Sequence, residues 1–346
     1  MKRFAIAALT IVSALACTKS NIQYEPTGEI SLQPVAEKAT KAAFSGTAYG
    51  EGAPAFNVWA WWADADHGTP LASLNVPNLE PYIANGEFVH RGGGSWGGST
   101  PYYWPTKGSL VFAGYSPSET FGGTFSYEDK IFTIDNYVQS TDIANTVDLM
   151  WFDLTERSYN TNDNKNAGGD DVNGVPVVFR HALSWLKFGF KLKSDLPENC
   201  QNWRITSVTL TGIADMADFN SKSDPAWTEH SGNENVSIWS GTHVVTKTAH
   251  YPESVEDGVV VIPQTCADDA ANLVITYDLK KHLGGATDEW LRAQTVTLPL
   301  GAGTDGNAWK PGKKYIYTII FGENEIRIAP TVTEWADGGN VEIEVQ

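Results

Sequence analysis

Residues 92–105, GGGSWGGSTPYYWP, hold the densest group of side chains in the chain that could do chemistry. Gly93-Gly94-Ser95-Trp96-Gly97 fits G-x-S-x-G, which in hydrolases exposes a serine nucleophile on a sharp strand-to-helix turn. That chemistry needs the following helix, and the sequence around Ser95 offers neither a strong preceding strand nor any helix. A glycine-rich run meets the pattern by chance. The stretch suggests a second chemistry, because Trp96, Tyr102, Tyr103 and Trp104 carry flat apolar faces on which sugars could stack. Trp59, Trp61 and Trp62 crowd an earlier segment, where two-residue spacing puts Trp59 and Trp61 on one strand face and Trp62 on the other. Trp59, Trp61 and Trp96 are thus a candidate glycan platform, set against the usual fate of such residues, core packing. In a third reading the glycines are only a loop, leading into a strand at Trp104 and Pro105.

Other chemistry finds no handle. His67, His90, His181, His230, His243, His250 and His282 show no metal-ligand spacing, and His181 in FRHALSW reads as a packed or edge-strand residue. The pairs Asp170-Asp171 and Asp268-Asp269 fall in loops, as expected with 41 acidic residues. Asn162, Asn164 and Asn166 alternate like calcium ligands, but the glycine and terminal glutamate of a calcium-binding loop are misplaced or absent. No dinucleotide or phosphate-cradling glycine pattern stands between a strand and a helix. The expectation is a non-enzymatic protein without catalytic residues, cofactor or metal.

The elements that would position these side chains belong to a chain of 346 residues, 42% hydrophobic and 12% aromatic, with 32 Gly and 17 Pro. That is enough for a large core and many turns. A formal net charge of −17 repels phosphate backbones and excludes nucleic acid as a partner. Lys2 and Arg3 precede a mostly apolar run, Phe4–Ala16, too short to span a bilayer and reading as a secretory signal. ALAC ends on Cys17, the position at which bacterial lipoproteins are acylated, although Ala14 stands where leucine is usual. Cys200 and Cys266 remain, and could pair in an oxidising compartment or lie buried separately.

Alternation and β-branched or aromatic content mark strands throughout. They include EISLQ (29–33), PAFNVWAWWAD, GSLVFAGYSP (108–117), DKIFTIDNYV (129–138), Trp185–Lys193, WRITSVTLTGIA (203–214), VVVIPQ, NLVITYDLK, QTVTLPL, KKYIYTIIF and NEIRIAPTVTEW. TVDLMWFDLTE (146–156) fits a strand or one helical turn, and GE between the last two strands fits a tight turn. No helical period runs beyond about ten residues. The polar stretch 158–171 marks a domain boundary, so the economical architecture is all-β, two β-sandwich domains.

In order along the chain, TKAAFSG (40–46), YYWPTKGSLVFAGYSP (102–117), VDLMW (147–151), FRHALSWLKFGFKL (179–192) and WKPGKKYIYTII through IAPTVTEW (309–335) resemble the fimbrillin family, the type V pilins of Bacteroidales, especially its Mfa-like branch. The resemblance implies two tandem transthyretin-like β-sandwiches after a lipoprotein signal peptide, divided as signal 1–16, lipidated leader 17–41, and domains 42–170 and 171–346. It implies an outer-membrane lipoprotein precursor held by lipid on Cys17, then trimming between Lys41 and Ala42 and display at the cell surface in a fimbrium. Lys41 stands where the family's best-known members have arginine. The implied partners are other pilin subunits and a host or bacterial surface ligand, and the implied role is fimbrial structural subunit or tip adhesin. If Ile30 and Leu32 occupy the first strand of the N-terminal sheet, their removal uncovers a sheet edge and groove. Val341, Ile343 and Val345 share one face of NVEIEVQ and are candidate donors, or else simply the last strand of their own domain. The competing reading is a glycan-binding lipoprotein tethered permanently through Cys17.

Overall fold

The computed structural model describes residues 28–36, 49, 52–118, 121–160, 174–196, 202–252, 258–267, 270–281, 289–301, 307–322 and 326–334. Their regular structure is almost entirely strand. In the first half these are β1 (Ser31–Ala36), β2 (Phe56–Ala63), β3 (Ile83–Gly92), β4 (Ser95–Gly98), β5 (Ser109–Ser116), β6 (Thr124–Ser126), β7 (Ile131–Val138) and β8 (Met150–Phe152). Then follow β9 (Val175–His181), β10 (Ser184–Leu192), β11 (Trp203–Ile213), β12 (Met216–Asn220), β13 (Trp227–Ser231) and β14 (Glu234–Val244). The last five are β15 (Val259–Val261), β16 (Asn272–Lys281), β17 (Glu289–Pro299), β18 (Lys313–Phe321) and β19 (Ile326–Glu334). Two short 3-10 turns, Leu71–Ser73 and Ile143–Asn145, interrupt them. The all-β expectation holds, and the ambiguous 146–156 stretch supplies β8.

Seven strands close into a ring in the order β1-β4-β3-β2-β5-β8-β9. Inside it lies an aromatic core that includes Phe56, Phe88, Trp96, Phe112, Phe152 and Phe179. β2 and β5 are apolar almost without alternation because both their faces are buried. Val58, Ala60, Leu110 and Phe112 face the ring interior, while Trp59, Trp61, Val111, Ala113 and Tyr115 face a second core outside it. A strand covered on both sides reads as a continuous apolar run.

That second core is roofed by the sheet β13-β12-β7-β6, which contributes Phe132, Ile134, Tyr137, Phe219 and Trp227. Trp185 and Val260 enter it from the far side. The third core lies between the sheets β15-β10-β18-β19 and β14-β11-β16-β17, so this part is a β-sandwich. β10 shows why the sandwich and the second core are contiguous. Leu186, Phe188, Phe190 and Leu192 face the sandwich, and Trp185 faces the other way. Parallel pairing of β10 with β18, Trp185↔Lys314 through Leu192↔Phe321, fixes that alternation.

Strands on either side of residue 170 interleave. β9 pairs with β1 and β8, and β12 pairs with β7. The change from the ring to the sandwich sheets therefore falls after His181, in the two-residue step to β10. Trp104 and Pro105 lie in irregular chain, and the strand they were expected to open starts at Ser109. Strands β3, β4, β6, β9, β12, β13 and β14 are not marked by the sequence patterns; in β3, β13 and β14 a majority of exposed or half-buried residues blurs the alternation.

Candidate functional site: the seat of the first strand

β1 closes the ring. Its Ser31 and Leu32 stand opposite Gly97 and Trp96 of β4 in antiparallel pairing. On its other edge Leu32↔Val175 through Ala36↔Phe179 run parallel to β9. The approach is pinned upstream, where the Ile30 N–H donates to Tyr102 O at 2.8 Å and the Trp104 N–H to Gly28 O at 3.3 Å.

The expected alternation of residues 29–33 is realised. Ile30 and Leu32 are 0% exposed, Glu29 is exposed, and Ser31 and Gln33 are half-buried. Burying an Ile or Leu side chain contributes about 1.5–3 kcal/mol each. These two residues bring apolar contact that main-chain pairing alone, at about 1 kcal/mol net per hydrogen bond, does not supply. Trp96, Val175, Val177 and Phe179 line the seat from the flanking strands. At Gly174, φ is 125°, and a Cβ there would stand 2.9 Å from the Ser31 carbonyl carbon and oxygen. Glycine therefore lets β9 begin against the β1 backbone. Arg91 and Glu29 add an ion pair at 3.9 Å, too exposed to matter much.

Without β1, β4 would have only β3 as a neighbour, and β9 would keep only the three-residue β8. Two strand edges would face each other across a one-strand gap, a site suited to accepting another strand.

Tyr49 lies beneath this seat. Its ring is 3% exposed, stacks on Phe179 at 5.1 Å and meets Trp96 edge-on at 5.0 Å. Its hydroxyl donates to Pro54 O at 2.8 Å and shares a hydrogen bond with Ser116 Oγ. Burial raises this phenol above the ordinary tyrosine range, so it stays neutral. No sequence signal marks it, since Tyr49 sits alone among small residues in SGTAYG with no period to follow.

The other expected sites fare differently. The glycines open neither a catalytic elbow nor a long loop. Gly92, Gly93 and Gly94, all at positive φ, make the turn from β3 into β4, and Gly97 and Gly98 lie within β4. Ser95 begins β4 instead of a helix, and its hydroxyl donates to Gly92 O at 3.1 Å. The glycan platform is overturned by burial. Trp59 is 8%, Trp61 2% and Trp96 1% exposed, because the first two fill the second core and the third lines the β1 seat. The expected split of the tryptophan faces is present, with Trp62 packing on the ring core opposite Trp59 and Trp61.

His181 is buried within the ring, on a strand paired on both sides. Its Nδ1 lies 2.9 and 3.1 Å from the two carboxylate oxygens of buried Asp148. The pair ties the chain ahead of β8 to β9, a packing role. Cys266 is a buried free thiol that burial pushes up to about 12. Among the described residues no three His, Cys, Asp or Glu side chains group as metal ligands. Cys17, Lys41, Ala42, Cys200, Val341, Ile343 and Val345 lie outside the described residues.

The fold and seat define an all-β protein of stacked sheets whose first strand seals a ring. The chain belongs to the fimbrillin-like family, whose model matches residues 40–335. β1 lies ahead of the matched span. Among solved structures the chain is similar to a fimbrial protein from Bacteroides vulgatus, at 17% identity, TM-score 0.57, over 89% of this chain and 99% of that one. It is also similar to a proposed cell adhesion protein from Bacteroides uniformis, at 17% identity, TM-score 0.50, over 89% and 98%. No curated protein sequence matches. At these identities the structures show a shared fold.

Proposed function

We propose that this chain is a fimbrial subunit or tip adhesin that assembles by exchanging its first strand. Membership of a family of structural fimbrial and adhesion proteins supports the surface role. The observation that carries the exchange is the seat of β1, a strand held in apolar burial between two edges that its departure would expose together. In this reading the precursor is exported, lipidated on Cys17 and carried to the outer membrane, then cut between Lys41 and Ala42. The cut frees β1, because residues 31–36 belong to the leader. Another subunit's strand then enters the seat, with Val341, Ile343 and Val345 as the donor face. The domains 42–170 and 171–346 remain the proposed division of the mature subunit, with β9 pairing into the first. No enzymatic step is part of this reading.

Intact mass and N-terminal sequencing of the protein from its native cell surface test the reading. An N-terminus at Ala42 in high-mass assemblies is the expected result. A diacylated Cys17 on a monomer would overturn trimming-driven assembly.

A further inference from the structure

Trimming would leave the seat with a mechanical problem, and Tyr49 is placed to solve it. Adjacent strands lie about 4.8 Å apart, so β4 and β9 flank β1 at roughly twice that spacing. With β1 gone, the gap would expose Trp96, Val175, Val177 and Phe179 to water. Apolar walls in that position are driven together, and a closed seam admits no strand. β4 is four residues long, and β9 is tied to β8 only through Met150↔His181 and Trp151↔Arg180. Each would then rest on a single short ladder.

Tyr49 follows the Lys41–Ala42 junction, so it would stay with the trimmed chain. Its ring touches one residue from each side of the gap, stacking on Phe179 of β9 with an interplanar angle of 18° and meeting Trp96 of β4 at 64°. The Trp96 indole Nε1 donates to Tyr49 O at 3.2 Å, a second tie to β4 through the main chain. The ring's edge-on contact with Phe56 (5.6 Å) and the hydrogen bond to Ser116 Oγ reach β2 and β5 on the opposite wall. Trp96 is in register with Leu32 and Phe179 with Ala36. The phenol ring therefore contacts one residue on each of the two strands that pair with β1.

We propose that Tyr49 is a positioning residue that holds the β4–β9 gap one strand wide once β1 has left, keeping the seat ready for an incoming strand. The inference rests on the strand-exchange reading. It adds to that reading a preformed acceptor, with Tyr49 in its floor.

The test uses the full chain with a site-specific protease sequence in place of residues 37–41, cut after folding. The probe is a fluorescent peptide of residues 28–36, GEISLQPVA. The cut wild type should exchange its own β1 for the peptide. Tyr49→Leu should bind the peptide about tenfold more weakly, and Tyr49→Phe, which keeps the ring contacts, within about threefold of wild type. Phe112→Leu removes a ring from the same core away from the gap, and should leave peptide affinity within about threefold while lowering the melting temperature of the uncut chain. Tyr49→Leu binding like wild type, or Phe112→Leu weakening the peptide equally, overturns the role of Tyr49. A cut wild type that takes up no peptide overturns strand exchange itself, and this proposal with it. Should Tyr49→Leu fail to fold, hydrogen exchange on cut wild type freed of β1 decides. Protection kept at the amides of Phe56 and Phe179 supports a preformed seat, and its loss refutes one.

Discussion

Leu32 stands opposite Trp96 across the antiparallel β1–β4 pair and beside Val175 in the parallel β1–β9 pair, with none of its surface exposed. One leucine thus fills both seams of the ring. Leu32→Ala should destabilise the seat by about 2–5 kcal/mol, or by the free energy of local β1 release if that is smaller. The check is the rate at which trypsin removes the N-terminal segment from the folded chain. Faster removal in the variant is expected, and an unchanged rate would mean that β1 is not held by this side chain.

Gly174 predicts a second, independent loosening of β1. Alanine there would have to keep φ near 125° and place its Cβ against the Ser31 carbonyl, so Gly174→Ala should cost about 1–3 kcal/mol by urea unfolding. Gly93 has φ 62° and open space around it, so Gly93→Asn should cost less than about 1 kcal/mol. Equal effects at the two positions would show that backbone conformation alone, without the approach of β1, sets the requirement.

The buried contact of Asp148 with His181 should be costly to break from one side. Asp148→Ala or His181→Ala leaves a polar group without its partner in the ring core, and a loss of about 3–5 kcal/mol is expected for either. The double variant should lose less than the sum of the two. Additive losses in a double-mutant cycle would mean the pair is not an energetic unit.

His243 stacks on His250 with ring centroids 3.6 Å apart, and its imidazole is held below the ordinary value of about 6.5, first by burial and then by the nearby His250. The folded chain therefore binds fewer protons here than the unfolded chain. Stability from this site is present above about pH 6.5 and is lost as pH falls through that value toward the depressed one. Unfolding midpoints from pH 7.5 to 5 should fall less steeply in His243→Gln than in wild type. Identical slopes would show that carboxylates elsewhere carry the whole acid effect.

Local pattern is informative at β1, which has one wet face, and at β2 and β5, which have two dry ones. The alternation of residues 29–33 placed Ile30 and Leu32 inward, and the continuous apolar runs at β2 and β5 marked strands covered on both sides. It failed at Trp104 and Pro105, where an isolated bridge at Tyr103 does not extend into a strand. It also failed to distinguish a binding tryptophan from a core tryptophan. Trp59, Trp61 and Trp96 have the same composition and spacing in either role, and only the layers stacked over them decide.

The amino-acid sequence already carries the all-β class, an acidic character unfavourable to nucleic acid, and the ordered segments of a fimbrillin-like chain. These depend on composition and on periods of a few residues, which neighbouring side chains impose on one another. Tertiary structure alone decided that β1 lies between β4 and β9, that strands on either side of residue 170 share sheets, and that Tyr49 bridges Trp96 and Phe179. Those contacts join residues far apart in the chain. Strand pairing over such separations is selected by the burial of whole faces at once, a sum that no local stretch contains.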